Sequence, residues 1–164
     1  MHSEKQSRDQ GYLADMINVE RWLCGLKGHV ILDAKLETYF YNGEHSGELL
    51  SVWLEILGHP PVRVKTHADG EQIDIDNEQI VPGNLKEYGR IDIIESRESE
   101  IFRDVVGSSI IDVWIYYVET GTIGFSIETS TGQAHFVNAG DKLYVLRKKG
   151  DVIALNPEVK QRKC

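Results

Sequence analysis

The sequence predicts an α+β fold, mostly antiparallel β-sheet meanders with one N-terminal helix and one short central helix. Three observations carry this reading. Apolar residues recur at helical spacing only near the N-terminus, β-branched and aromatic residues alternate with polar ones over most of the rest, and turn residues separate those runs.

From Asp9 to Leu26 the apolar positions Leu13, Met16, Ile17, Val19, Trp22, Leu23 and Leu26 fall on one helical face, and Gly25 and Gly28 supply a stop. Strands are expected over His29 to Tyr41 and Leu49 to Leu57, with Asn42-Gly43 and Gly47 between them. Gly58-His59-Pro60-Pro61 forces a turn, because proline donates no ladder hydrogen bond. Val62 to Thr66 and Ile73 to Asp76 then form a hairpin around Asp69-Gly70, whose register sets Arg63 opposite Asp76 and Lys65 opposite Asp74. A short strand follows at Arg90 to Ile94. Ser96 is placed to cap a short helix holding Ile101, Phe102, Val105 and Val106, ended by Gly107. Five strands complete the meander: Ile110 to Val118, Thr122 to Glu128, Gln133 to Val137, Lys142 to Arg147 and Val152 to Leu155. The tail from Glu158 to Cys164 is expected to fray.

The halves share a pattern. A helix precedes Gly28 and Asp33, and another precedes Gly107 and Asp112 at the same spacing. A single domain over 1–164 containing a degenerate duplication, with units 9–76 and 96–155, is therefore expected.

The chain has 164 residues, 41% hydrophobic and 27% charged, enough for one self-sufficient core. Its N-terminus is polar where a signal peptide is apolar, and no apolar run is long enough to span a bilayer, so a soluble cytoplasmic protein is expected. The two cysteines, Cys24 and Cys164, show neither a disulfide framework nor zinc spacing, and reduced thiols are expected. A net charge of -8 disfavours direct contact with nucleic acid or anionic lipid and favours a basic partner.

The phosphate-binding, zinc-helix and hydrolase-elbow motifs are absent, which argues against an enzyme and against a bound cofactor. His59, His67, Asp69 and Glu71 can be drawn as a metal or small-ligand site, but loop histidines in an acidic chain are usually only exposed, and no metal is expected. Of the three tryptophans, Trp22 and Trp114 read as core anchors. Trp53 shares a strand face with Ser51 and Glu55, while Leu50, Val52, Leu54 and Ile56 form the apolar face. Trp53 is therefore the candidate interface aromatic. With the hairpin acids self-paired, the surplus negative charge falls on Asp69, Glu71, Glu78, Glu87, Asp92, Glu95, Glu98, Glu100 and Asp104. These ten residues are the candidate partner-binding set. A second group, Glu37, Glu44, Glu48 and Glu55, lies on the first hairpin.

The stretch Gly124-Phe125-Ser126-Ile127-Glu128 to Gly132, followed by Asn138-Ala139-Gly140-Asp141-Lys142-Leu143-Tyr144-Val145, resembles the C-terminal part of immunity proteins of bacterial polymorphic or contact-dependent toxin systems. The resemblance implies a protein that neutralises a cognate toxin domain, often a basic nuclease, by tight stoichiometric binding. Two other functions are compatible with the residues: a metal-dependent enzyme or ligand-binding domain, and a DNA-mimic inhibitor or structural interaction module.

Overall fold

The computed structural model describes residues 19–41 and 47–164. The expected α+β fold with antiparallel meanders is what it shows. A helix occupies residues 19–24 (α1). After it come β1 (Ile31–Phe40), β2 (Glu48–Ile56), β3 (Val62–Thr66), β4 (Ile73–Asp76), β5 (Gly83–Asn84), β6 (Arg90–Glu95) and α2 (Glu100–Val105). The chain continues through β7 (Ile110–Val118), β8 (Gly121–Thr129), β9 (Gln133–Ala139), β10 (Lys142–Leu146), α3 (Lys149–Leu155) and β11 (Lys160–Lys163). The expected helical segment 9–18 and the Asn42-Gly43 turn lie outside the described residues.

The strands form a 6-stranded sheet in the order β4-β3-β2-β1-β6-β5 and a 5-stranded sheet in the order β10-β9-β8-β7-β11. Alternation decides which side chains face inward. Leu36, Val52, Val64 and Ile75 lie in one cross-strand row, and Ile115, Phe125, Phe136 and Val145 in another. Both rows join one apolar core together with Leu23 and Leu26 near α1 and Phe102 and Val105 of α2. Phe136 stacks between Phe125, at 4.7 Å, and Phe102, at 6.1 Å.

The two sheets repeat one plan. Each begins with a helix and a four-strand meander, and a later strand returns to the free side of the first strand, β6 on β1 and β11 on β7. The irregularities match as well: β1 shifts register between Ile31 and Asp33 and between Glu37 and Thr38, and β7 does so at Ile110/Asp112 and Tyr116/Tyr117. The junction between the units is reciprocal. Gly28 N–H donates to Ile110 O and Gly107 N–H to Ile31 O, each at 2.7 Å, around an antiparallel bridge between Val30 and Ser109. Both glycines have positive φ, 90° and 88°, where a β-carbon is disfavoured. Thr66 and Asn138 occupy matching positions, and the Thr66 hydroxyl donates to Asn138 Oδ1 at 3.0 Å. These bonds relate the units by a pseudo-two-fold. Each unit extends past the limits expected from sequence, through Glu95 and through Lys163 respectively.

Four expectations are corrected. Val152 to Leu155 is not a strand but part of α3, where Val152 packs on Tyr116 and Val137 and covers the outer face of the second sheet. A short apolar run fits either state, and here the uncovered sheet face decides. The tail does not fray: Lys160–Lys163 pairs with β7, and Cys164 N–H donates to Val113 O at 2.9 Å. That pairing carries Cys164 to Cys24, and the thiols expected to be reduced form a disulfide with a Cα–Cα distance of 5.2 Å. Finally, the register shift at Glu37/Thr38 pairs Ser51 and Leu49 with β1 and skips Leu50, which is 36% exposed instead of on the apolar face. A smaller difference concerns the central helix. It begins after Ser99, while the Ser96 hydroxyl donates to Asp33 Oδ1 at 3.0 Å.

Among the described residues no helix is long and apolar enough to cross a membrane.

Candidate functional site

The hairpin of β3 and β4 has the register expected of it, with Arg63 opposite Asp76 and Lys65 opposite Asp74. Its ion pairs converge on one carboxylate. Arg63 donates to Asp76 through Nε at 2.8 Å and through a terminal nitrogen at 2.7 Å, and Lys65 Nζ reaches the same group at 3.1 Å. Partial burial would push the Asp76 carboxyl up, but these cations more than offset it and its pKa is lowered. Asp74, buried, instead accepts the Ile75 N–H at 2.9 Å.

Several of the candidate binding acids turn out to be engaged. Asp69 accepts the backbone N–H groups of Gln72, at 3.1 Å, and Glu71, at 2.9 Å, which hold its pKa down at about 2. Its carboxylate therefore fastens its own turn. Glu78 is held by Arg63 at 2.7 Å and Asp92 by Arg90 at 2.8 Å, while Arg147 contacts both Glu100 at 3.4 Å and Asp104 at 2.9 Å. Glu71, Glu87, Glu95 and Glu98 form no ion pair among the described residues. The structure does not gather these four: Glu71 is at the β3–β4 turn, Glu87 precedes β6, Glu95 ends it, and Glu98 leads into α2. Trp53 is on the face expected, beside Ser51 and Glu55, yet it is only 9% exposed, and its indole N–H donates to Glu55 at 3.2 Å.

Exposed aromatic surface lies elsewhere, at the corner where β1 ends against the segment before β6. Tyr41 is 53% and Tyr88 67% exposed. They are brought together because the Tyr39 hydroxyl donates to Tyr88 O, and because Gly89 passes so close to Phe40 that a β-carbon there would lie 2.1 Å from the Phe40 carbonyl oxygen. Arg90 sits over the Phe40 ring at 4.7 Å. Exposed Val81 and Leu85 belong to the same segment, and Glu48 and Glu87 add carboxylates, while Asp92 is paired with Arg90. Gly89 has φ 108°, so Gly89→Ala combines an unfavourable conformation with a backbone clash. That substitution is expected to cost about 2 kcal/mol and to release Tyr88. Hydrogen exchange should then rise at 83–91 and remain unchanged in β7–β9.

Next to this corner a groove of about 750 Å³ opens between the inner face of the first sheet and β10. Leu36, Leu49, Ile94, Ile101 and Val145 supply its apolar wall, with Glu48 and Lys142 at its polar margin. β10 is the edge strand of its sheet. Sequence reasoning missed these residues because Leu36, Ile94 and Val145 read as apolar strand positions and Ile101 as an apolar helix position, and only packing shows that space remains beside them. A signal for the corner was present in Val81, Leu85 and Tyr88, apolar residues in a loop with no periodicity to bury them.

The histidines do not converge. His59 meets His29 edge to face at 4.4 Å, His67 lies 3.2 Å from Asp69, and no cluster of three or more ligating side chains occurs among the described residues. His135 is buried on the outer face of the second sheet. The Tyr116 hydroxyl donates to its Nδ1, and its Nε2–H donates to Gln133, both at 2.7 Å. Burial lowers its pKa to about 4, with Lys149 adding to the shift and Asp151 opposing it. The ring is neutral at pH 7 and acts as a structural bridge.

Comparison of the chain with protein-family models, with curated proteins and with solved structures gives no match in any of the three.

Proposed function

We propose that the protein is an immunity protein that neutralises a cognate toxin domain by stoichiometric binding and has no catalytic activity of its own. The observation that supports this reading is the corner where Tyr41 and Tyr88 stand exposed at the end of β1 and before β6, with Glu48 opposite Tyr39 on β2 and Glu87 in the segment that carries Tyr88. Tyrosine at the centre of a contact supplies affinity, while surrounding carboxylates steer a basic partner and set its orientation. The most conspicuous acids of the sequence contribute less, since Asp76, Glu78 and Asp69 are held within their own hairpin.

The Cys24–Cys164 disulfide supports residence in an oxidising compartment, in place of the cytoplasm expected from sequence, because cytosolic thiols are kept reduced. The toxin would then be met there.

Calorimetry against a candidate toxin domain, with stopped-flow mixing for the association rate, tests the proposal. Binding at one-to-one stoichiometry is expected, with association at least about ten-fold slower at high salt. Tyr88→Ala should weaken binding by about 2 kcal/mol, roughly thirty-fold. Full toxin activity in the presence of excess protein would sink the proposal.

A further inference from the structure

Each sheet ends in two outer strands, β4 and β5 in the first and β10 and β11 in the second, and three of these four edges are blunted. β5 is two residues long, and the four residues of β11 are exposed and include Lys160, Arg162 and Lys163, whose charges discourage a further strand. At β4 the hydrogen bond from His67 N–H to Gln72 O sets the alternation, so that Lys65 and Asp74 form a bonded pair while Ile73 and Ile75 turn their backbone groups outward. Asp74 Oδ1 accepts the outward N–H of Ile75 at 2.9 Å, which occupies that donor and lays a carboxylate along the edge.

β10 carries none of these devices. Gly140 and Asp141, with φ of 57° and 65°, form the two-residue turn between β9 and β10, and a turn of this kind makes its flanking pair, Ala139 and Lys142, a hydrogen-bonded one. Bonded and non-bonded pairs alternate along an antiparallel ladder, so Lys142, Tyr144 and Leu146 bond to β9, while Leu143 and Val145 direct their N–H and C=O groups away from it. Among the described residues no partner takes these four groups. The side chains of the same two residues turn toward the core, and both residues line the groove. Unpaired backbone and an apolar wall of Leu36, Leu49, Ile94 and Ile101 therefore meet in one place.

We infer that the β10 edge and its groove dock an extended segment of the partner protein, which adds to the second sheet as a further strand. The inference rests on the partner-binding reading and names what the partner presents. Free donors and acceptors in a row specify an extended backbone, and β10, with 5 residues, sets the length of the paired stretch. Cross-strand neighbours share a face, so side chains of the added strand beside Leu143 and Val145 point inward with them, toward the groove wall, and must be apolar at those alternate positions. The exposed Glu48 at the groove margin and the net charge of -8 favour cationic residues at the positions between.

Amide-resolved NMR with a capped peptide of alternating lysine and valine as the probe tests it without any toxin. Saturable shifts are expected at the Leu143 and Val145 amides, with a Kd on the order of 1 mM, and none in β4 or β11. The same peptide with its amides N-methylated keeps the side chains but loses the donors, and should not bind. Val145→Pro deletes one outward donor without touching the β9 ladder and should abolish the shifts. Should that variant fail to fold, the methylated peptide carries the test on the native chain. Absence of saturable shifts, shifts confined to another edge, or equal binding of the methylated peptide would overturn the inference. So would a doubled hydrodynamic mass with the Leu143 and Val145 amides protected before any peptide is added, which would assign the edge to a second copy of the chain. Peptide binding without toxin neutralisation would overturn the functional reading alone. Neutralisation by a complex in which the Leu143 and Val145 amides stay unprotected would overturn the strand docking alone.

Discussion

Reduction of the Cys24–Cys164 disulfide is expected to lower the melting temperature by about 10 °C or more. The two cysteines are 140 residues apart, so the bond closes a loop that contains both sheets. Constraint of the unfolded chain by so long a loop corresponds to about 5 kcal/mol in the chain-entropy description, an upper value because residual structure in the unfolded state reduces it. A domain of this length loses about 2–4 °C per kcal/mol. Thermal unfolding with and without a thiol reductant measures the effect, and Cys24→Ser with Cys164→Ser should reproduce it. The change should also reach β11, because its four exposed residues hold the chain end through pairing with β7 and exposed ion pairs from Arg162 to Glu20 and Lys163 to Asp112. Hydrogen exchange at 160–164 should accelerate on reduction while β8 and β9 remain protected. A melting temperature indifferent to reductant would show that β11 and the core suffice without the bond.

The second large effect is acid destabilisation through His135. Its folded-state pKa of about 4 lies below the ordinary value of 6.5, so between those values the unfolded chain binds a proton that the folded chain excludes. The stabilisation is complete above pH 6.5 and is lost as pH falls toward 4, amounting to about 3 kcal/mol. Protonation would place a cation against the Tyr116 hydroxyl and compete with the Nδ1 acceptor that this hydroxyl uses. Denaturant unfolding at intervals between pH 7 and pH 4 should show this slope. His135→Gln removes the titration and should flatten it, at the cost of a fixed loss at neutral pH. Asp69, with its pKa held at about 2, titrates below that range and does not obscure the result. An unchanged slope in the variant would mean that another group carries the pH dependence.

The fold was legible in the sequence wherever a local rule coincided with the tertiary requirement. The Asp69-Gly70 turn set the β3–β4 register because turn and alternation agreed, and Gly28 and Gly107 marked a real junction because a positive φ leaves few alternatives to glycine. The reading failed where a remote surface chose between local options. Val152 to Leu155 became helical beneath the second sheet, and Leu50 turned outward at a register shift that no single strand encodes. The candidate site was legible only as charge. Sequence counts carboxylates but not their partners, so Glu78, Glu100 and Asp104 counted as surplus until Arg63 and Arg147 were found beside them.

By itself, the sequence determined the alternating strands, their turns, the self-paired hairpin and the two glycines at the junction, because each depends on neighbours within a few residues. Tertiary structure alone decided the disulfide between distant cysteines, the pairing of β11 with β7, the corner that exposes Tyr41 and Tyr88, and the groove. These depend on distances between segments far apart in the chain and on whether side chains fill the space between them.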